Sequence, residues 1–168
     1  MLKKTSLLLI TIFLLAFPGC QSTKNENFSI YLLAQDIPAT KLSQGDIDQL
    51  ILKSEPIISS DDIISYDATN HVMELTQAAY TRVQQMPVKV DGIPFVVCVG
   101  NERIYIGALW TSISSLSYDG VVIIQPVEAK PTTVQIALGY PVSDFFKGSD
   151  PRADSRIIKA LEQDKKLK

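Results

Sequence analysis

From residue 28 onward, apolar and polar positions come in short blocks, each bounded by a proline, a glycine or a cluster of small polar residues. Residues 28–33 are β-prone and predict a first strand. Ser43-Gln44-Gly45-Asp46 has the pattern of a helix N-cap with an acid three residues on. Ile47, Leu50 and Ile51 follow at helical spacing, and Pro56 marks the stop. Residues 50–58 fit an extended apolar segment equally well. Ser59-Ser60-Asp61-Asp62 opens a single turn, and residues 63–66 lead into the turn Asp67-Ala68-Thr69-Asn70. Residues 71–75 form a short strand. Thr76 then caps a helix running to Met86, with Leu75, Ala79, Val83 and Met86 on one face. Pro87 ends it.

The clearest unit comes next. Residues 93–99 and 103–110 are two β-rich runs, joined through Gly100-Asn101-Glu102 as a hairpin. Both parities are apolar from Phe95 to Val99, which suits a strand covered on both faces near the centre of a sheet. Residues 111–117 are a hydroxyl-rich loop. Asp119-Gly120 predicts a turn before a strand at 121–125, and a further strand follows Pro131 at 134–138. Asp150-Pro151 sets an N-cap with proline at the first helical position. The helix it opens runs to about Leu167, with Ile157, Ile158 and Leu161 inward. Lys165, Lys166 and Lys168 at its end complement the helix dipole. Hairpins with helices to one side predict an α+β fold, a single compact domain with an antiparallel or mixed sheet and helices on one face.

Residues 1–20 follow a different rule. Lys3 and Lys4 precede an apolar run over 7–17, too short to span a membrane, and Pro18-Gly19-Cys20 closes it. This is the layout of a secretion signal. Leu14-Leu15-Ala16-Phe17-Pro18-Gly19-Cys20 resembles the bacterial lipobox, with Phe17 where that pattern usually has leucine. The resemblance implies that residues 1–19 are removed as a lipoprotein signal peptide. Cys20 then becomes the lipidated first residue, acylated with chains such as palmitate. Residues 20–27 would be the lipidated cysteine and a polar tether, and 28–168 the single domain. Two or three acyl chains hold firmly, so the expected location is the extracytoplasmic surface of a membrane. Gln21 after the cysteine favours the outer membrane in a two-membrane cell, and a single-membrane cell would place it on the plasma membrane.

The chain has 16 basic and 18 acidic residues. The leader contains Lys3 and Lys4 and no acid, so the remainder carries a net charge of −4. That excludes the basic footprint of a nucleic-acid binder. Removing residues 1–19 leaves 149, enough for one core, and 46% apolar residues exclude a disordered chain. With Cys20 taken by lipid, Cys98 stands alone inside an apolar strand and reads as a small buried hydrophobe.

A resemblance runs through the middle of the chain. Pro56-Ile57-Ile58-Ser59-Ser60-Asp61-Asp62-Ile63 comes first, then a strand ending Glu74-Leu75-Thr76 and a helix with Ala78 and Ala79. Gly92-Ile93-Pro94-Phe95-Val96-Val97 and Arg103-Ile104-Tyr105-Ile106 follow. This succession over residues 56–125 resembles the extracytoplasmic head segment of the SecD subunit of the protein-export machinery. It implies a fold and carries over no catalytic residue. The chain as a whole also resembles the uncharacterised small lipoproteins of bacteria.

Candidate chemistry is sparse. His71 is the only histidine. A serine–histidine–acid site would pair it with Ser112, Ser114, Ser115 or Ser117 and with Asp67, but the G-x-S-x-G elbow is missing. At a strand start after a turn, His71 reads as an ordinary surface imidazole. One histidine and one buried cysteine do not make a zinc set, and Asp61, Asp62 and Asp67 read as turn caps. No glycine-rich loop cradles a phosphate, so no metal or cofactor is expected. The group Tyr105, Trp110, Ser114, Ser115 and Tyr118 is the candidate binding cluster, since an aromatic strand end beside a serine loop can line a groove. The same residues would serve equally as a plug at the core's edge. The sequence thus favours a lipid-anchored, non-enzymatic binding or assembly module of the cell envelope. Its partners would be the membrane, through Cys20, and an envelope protein. The alternative is an envelope hydrolase using His71 and a serine of the 112–117 loop.

Overall fold

The computed structural model describes residues 26–128 and 130–168. Cys20, the expected signal segment and most of the expected tether lie outside these residues. The described chain forms an α+β domain around one mixed sheet. Its strands are β1 (Phe28–Leu32), β2 (Ile58–Ser59), β3 (Ile63–Asp67), β4 (Val72–Leu75), β5 (Ile93–Val99), β6 (Glu102–Trp110), β7 (Tyr118–Ile124) and β8 (Thr133–Tyr140), in the order β2-β1-β5-β6-β7-β8-β4-β3. The two helices are α1 (Gln77–Gln84) and α2 (Ser155–Gln163).

The edge strands β2 and β3 are joined by the single 3-10 turn Ser60–Asp62. So short a link cannot cross a flat sheet of eight strands, which forces the sheet to curl until its two edges approach. The β3 edge is then covered by the C-terminus: Tyr66 N–H donates to the Lys166 carbonyl, and Lys168 N–H to the Tyr66 carbonyl. Covering an edge in this way removes a template for unwanted strand pairing.

Side-chain parity sorts the core into two sides. Phe95, Val97 and Val99 of β5 pack with Tyr80 and Val83 of α1 and with Ile157 and Leu161 of α2. Val96 and Cys98 point the other way, onto Leu33 and Leu50. Both α-helices thus lie on one side, and the segment from Leu33 to Leu52 covers the other. β5 and β6 are interior strands, and β5 is covered on both faces, as its doubly apolar pattern requires.

Local signals account for several ends. The Thr76 hydroxyl accepts from Ala79 N–H at the start of α1. Ser43 and Asp46 bond reciprocally, yet the turn they open is a 3-10 helix, Gln44–Gln49. Beyond it the chain is extended, with Leu52 bridged to Leu33. The Gln44 side chain supplies both a donor and an acceptor to the backbone of Ile106, at 2.9 Å each. It stands in for a strand partner just before β6 begins pairing with β7 at Gly107.

Three expectations need correction. Asp119-Gly120 is not a turn but part of β7, which runs parallel to β6. The hydroxyl-rich loop 111–117 is therefore a crossover between two parallel strands. The Tyr118 ring folds over Gly120, where a Cβ would sit 2.7 Å from its atoms, and this close approach is what the glycine serves. Second, the last helix is shorter than expected and is capped by Asp154, whose side chain accepts from Arg156 N–H. Asp150 instead holds Arg152. Third, α2 stops at Gln163 because Lys165 turns left-handed at φ 57°. Lys165 N–H donates to the Glu162 carbonyl and Lys166 N–H to that of Leu161, the Schellman pattern of a helix end. That turn delivers residues 166–168 to β3, and Lys168 pairs with Glu74 at 2.9 Å.

Candidate functional site

The expected binding cluster divides between the two sides of the sheet. Tyr105 and Trp110 lie five residues apart on β6, so alternation sends them to opposite faces. Tyr105 packs on the helix side. Trp110 and Tyr118 lie on the other side with Ala39, Ala108 and Val122. There Trp110 stacks on Tyr118 at 5.2 Å between ring centroids and leans on Tyr140 at 5.8 Å. Trp110 is fully buried, and its Nε1 has no hydrogen-bond partner among the described residues. Gly92 makes room for the six-membered ring, since a Cβ there would stand 2.5 Å from it. Burial pushes the Tyr118 hydroxyl up to about 12. The aromatic group plugs the core beneath the 111–117 crossover.

The serines of that crossover serve its own shape. The Ser114 hydroxyl donates to the Val90 carbonyl and accepts from Leu116 N–H. The Tyr140 hydroxyl donates to the carbonyls of Ser112 and Ser114, at 3.1 and 3.2 Å. Ser115 is exposed.

His71 departs from its expected surface position. It is buried, 8% exposed, with a left-handed backbone at φ 53°, which ends the Asp67–Asn70 turn and starts β4. Its Nδ1 lies 2.7 Å from the Tyr66 hydroxyl. Arg152 stands nearby, held by two bonds to Asp150 and one, at 2.7 Å, to the Ile136 carbonyl. Burial, and then the Arg152 charge, lower the His71 pKa from 6.5, while Asp150 and Asp67 oppose them. Burial also pushes the Tyr66 hydroxyl up to about 12. The Asp150 carboxyl is held low, first by its bond to Arg152. Ile136 joins the two segments: its carbonyl accepts from Arg152 and its N–H donates to the His71 carbonyl.

A pH dependence follows from the lowered His71 value. The unfolded chain binds the His71 proton near pH 6.5, while the folded protein resists it until lower pH. Stability is therefore full above the unfolded pKa and falls as the pH drops from there towards the folded one. His71→Asn, which tolerates the left-handed backbone, should flatten that fall. Urea unfolding of both proteins between pH 7.5 and 5 checks it, and parallel curves would rule out His71 as the cause.

The expected acids act as turn caps. Asp67 accepts from the N–H groups of Thr69 and Asn70. Asp62 accepts from Ser59 and pairs with Arg82 at 2.7 Å. Among the described residues no group of three or more histidine, cysteine or acidic side chains is placed to hold a metal ion, and no helix is long and apolar enough to cross a membrane.

A different surface stands out at the end of the sheet where β5 begins and β6 and β7 finish. A cleft of about 370 Å³ opens between the chain after β1 and the loop before β5. Leu32, Ile37, Met86 and Pro94 supply its apolar lining, and Asp36, Lys53, Lys89 and Asp91 are its charged residues. Lys89 bridges to Asp36 at 2.9 Å. At the same end Val90 is 51% exposed, Ile113 82%, Leu116 43% and Val127 81%. The Ser114 bonds join the loops of Val90, Ile113 and Leu116. Gln125, at the foot of Val127, binds the Gln84 and Met86 carbonyls. Sequence patterning passes over these residues because aliphatic side chains in loops have no period. The signal available was Ile113 and Leu116 inside a serine-rich crossover, and Val127 between a proline and a glutamate. Comparison with protein-family models, with curated proteins and with solved structures finds no match to this chain.

Proposed function

We propose that this protein is a lipid-anchored binding or assembly module of the cell envelope, attached to the extracytoplasmic face of a membrane through Cys20. The anchor is read from the lipobox-like sequence Leu14–Cys20. The binding role is carried by one observation: the loops bearing the exposed side chains Val90, Ile113 and Val127 lie at the same end of the sheet as a cleft with a partly apolar lining. Side chains such as Ile113 and Val127 gain nothing by standing in water. Buried against a partner, each would contribute about 1.5–3 kcal/mol. Where such side chains form a contiguous patch, they mark an interaction site.

The anchor is tested by metabolic labelling with a fatty-acid analogue. The wild-type protein should be labelled and run as the shortened, processed form. Cys20→Ser should abolish labelling and accumulate the precursor. Continued labelling of Cys20→Ser would sink the assignment.

A further inference from the structure

We infer that the end of the sheet bearing Val90, Ile113 and Val127 docks a second envelope protein, one that offers an aliphatic or aromatic anchor side chain within a rim carrying charges of both signs. The inference rests on the anchored reading and deepens it, by fixing which end of the domain faces away from the membrane.

The chain enters the domain at the opposite end. Phe28 pairs with Val99 at the finish of β5, and the Asn27 carbonyl accepts from Gly100 N–H at 2.9 Å. A lipid on Cys20 therefore holds the domain by its Val99 end. The residues from Gln21 to Asn27 reach about 25 Å at full extension. The seven residues of β5 span about 20 Å by themselves, and the loops of Val90 and Ile113 stand beyond its start. Turning the domain so that those loops meet the bilayer end-on would consume the whole tether, drawn taut along the side of the domain. A polar linker samples such a stretched state rarely.

Charge points the same way. Lys53 and Lys89 at the cleft are balanced by Asp36 and Asp91, so the cleft itself exerts no net pull on an anionic headgroup layer, which recruits clusters of lysine and arginine. A second copy fits poorly too. Joining two such ends on a two-fold axis, end to end, points the two Val99 ends, and hence their anchors, in opposite directions. One membrane surface cannot hold both. The remaining occupant is another protein standing off the membrane. Its anchor side chain would enter the cleft beside Val90, and its charged rim would meet the Lys89–Asp36 pair, the arrangement of a buried hot spot within a polar ring.

The test places a photoreactive amino acid at Ile113 or Val127, and for comparison at Asn101 or Lys159, in the full-length protein inside cells that naturally make it. Irradiation should give a discrete adduct with one other polypeptide from positions 113 and 127, and none of that species from 101 and 159. Val90→Asp should lower the 113 adduct at least tenfold. Its side chain is half exposed, so its melting temperature should match the wild type. Adducts from 113 and 127 with lipid, adducts with a second copy of this chain, or no adduct would each overturn the docking proposal. So would an adduct that Val90→Asp leaves intact. Fatty-acid labelling of the same cells reads the anchor separately: an unlabelled wild type overturns the anchored reading, and the adduct pattern still judges the surface.

Discussion

Cys98→Asp should lose several kcal/mol of stability, a large share of the roughly 5–15 kcal/mol that holds a domain together. Cys98 is 3% exposed among Leu33, Leu50, Val96 and Ile106. One group nearby could soften the blow. Arg103 is its cross-strand partner on β6, and a guanidinium would welcome a carboxylate. The thiol itself shows which effect wins. Burial pushes Cys98 up to about 11 even though Arg103 pulls the other way. The Arg103 guanidinium is also committed to the Ile47 carbonyl. An aspartate at this position would be subject to the same balance. The loss should shrink on acidification, because a carboxyl that resists burial as an anion binds its proton more tightly in the folded state. Cys98→Ala should cost about 1 kcal/mol, as a small truncation does. Urea unfolding at pH 7 and pH 5 measures all three. Thiol labelling of a chain with Cys20 replaced should be slow without denaturant, and rapid labelling would overturn the interior placement of β5.

Trp110 offers the second large effect, and one with an internal control. Trp110→Ala should lose about 3–5 kcal/mol, the usual consequence of emptying a large buried aromatic site. The rings of Tyr118 and Tyr140 would lose their common neighbour. Trp110→Phe should behave differently. It keeps an aromatic ring over Gly92 and removes a buried indole N–H that has no partner among the described residues. A buried orphan donor costs about 1–3 kcal/mol, so its removal offsets much of the lost packing, and the net change should stay near 1 kcal/mol. Thermal unfolding of the two variants separates the terms. A phenylalanine variant as unstable as the alanine one would show that Nε1 has a partner after all.

The strongest elements of the fold were written locally. The β5–β6 hairpin, the Thr76 cap and the Ser43–Asp46 and Ser59–Asp62 reciprocal bonds each depend on residues within a few positions of one another. Alternation within one strand is equally local, and it already separates Tyr105 from Trp110. The division of the candidate cluster between two faces could therefore have been read from their spacing on β6. What a local signal does not contain is the identity of the neighbour across the sheet. Asp119-Gly120 has the composition of a turn, yet it lies inside β7, at an irregularity between the Tyr118–Tyr140 and Val121–Leu138 pairs with β8, with the Tyr118 ring above Gly120. Asp150-Pro151 has the composition of a helix start. Arg152, held by Asp150 and the Ile136 carbonyl, delays the helix to Ser155.

By itself the sequence determined the fold class, the strand-rich middle, the covered state of β5 and the signal-like start, because each is set by periodicity or by a short motif. Only the tertiary structure decided that β6 and β7 run parallel, that the sheet curls until its edges approach and the C-terminus covers β3, and that His71 is buried against Tyr66. Only the structure gathers Val90, Ile113, Leu116 and Val127 at one end, far from Asn27. These features join residues tens of positions apart. They follow from how the whole apolar surface can be covered at once, a condition that no window of the chain states alone.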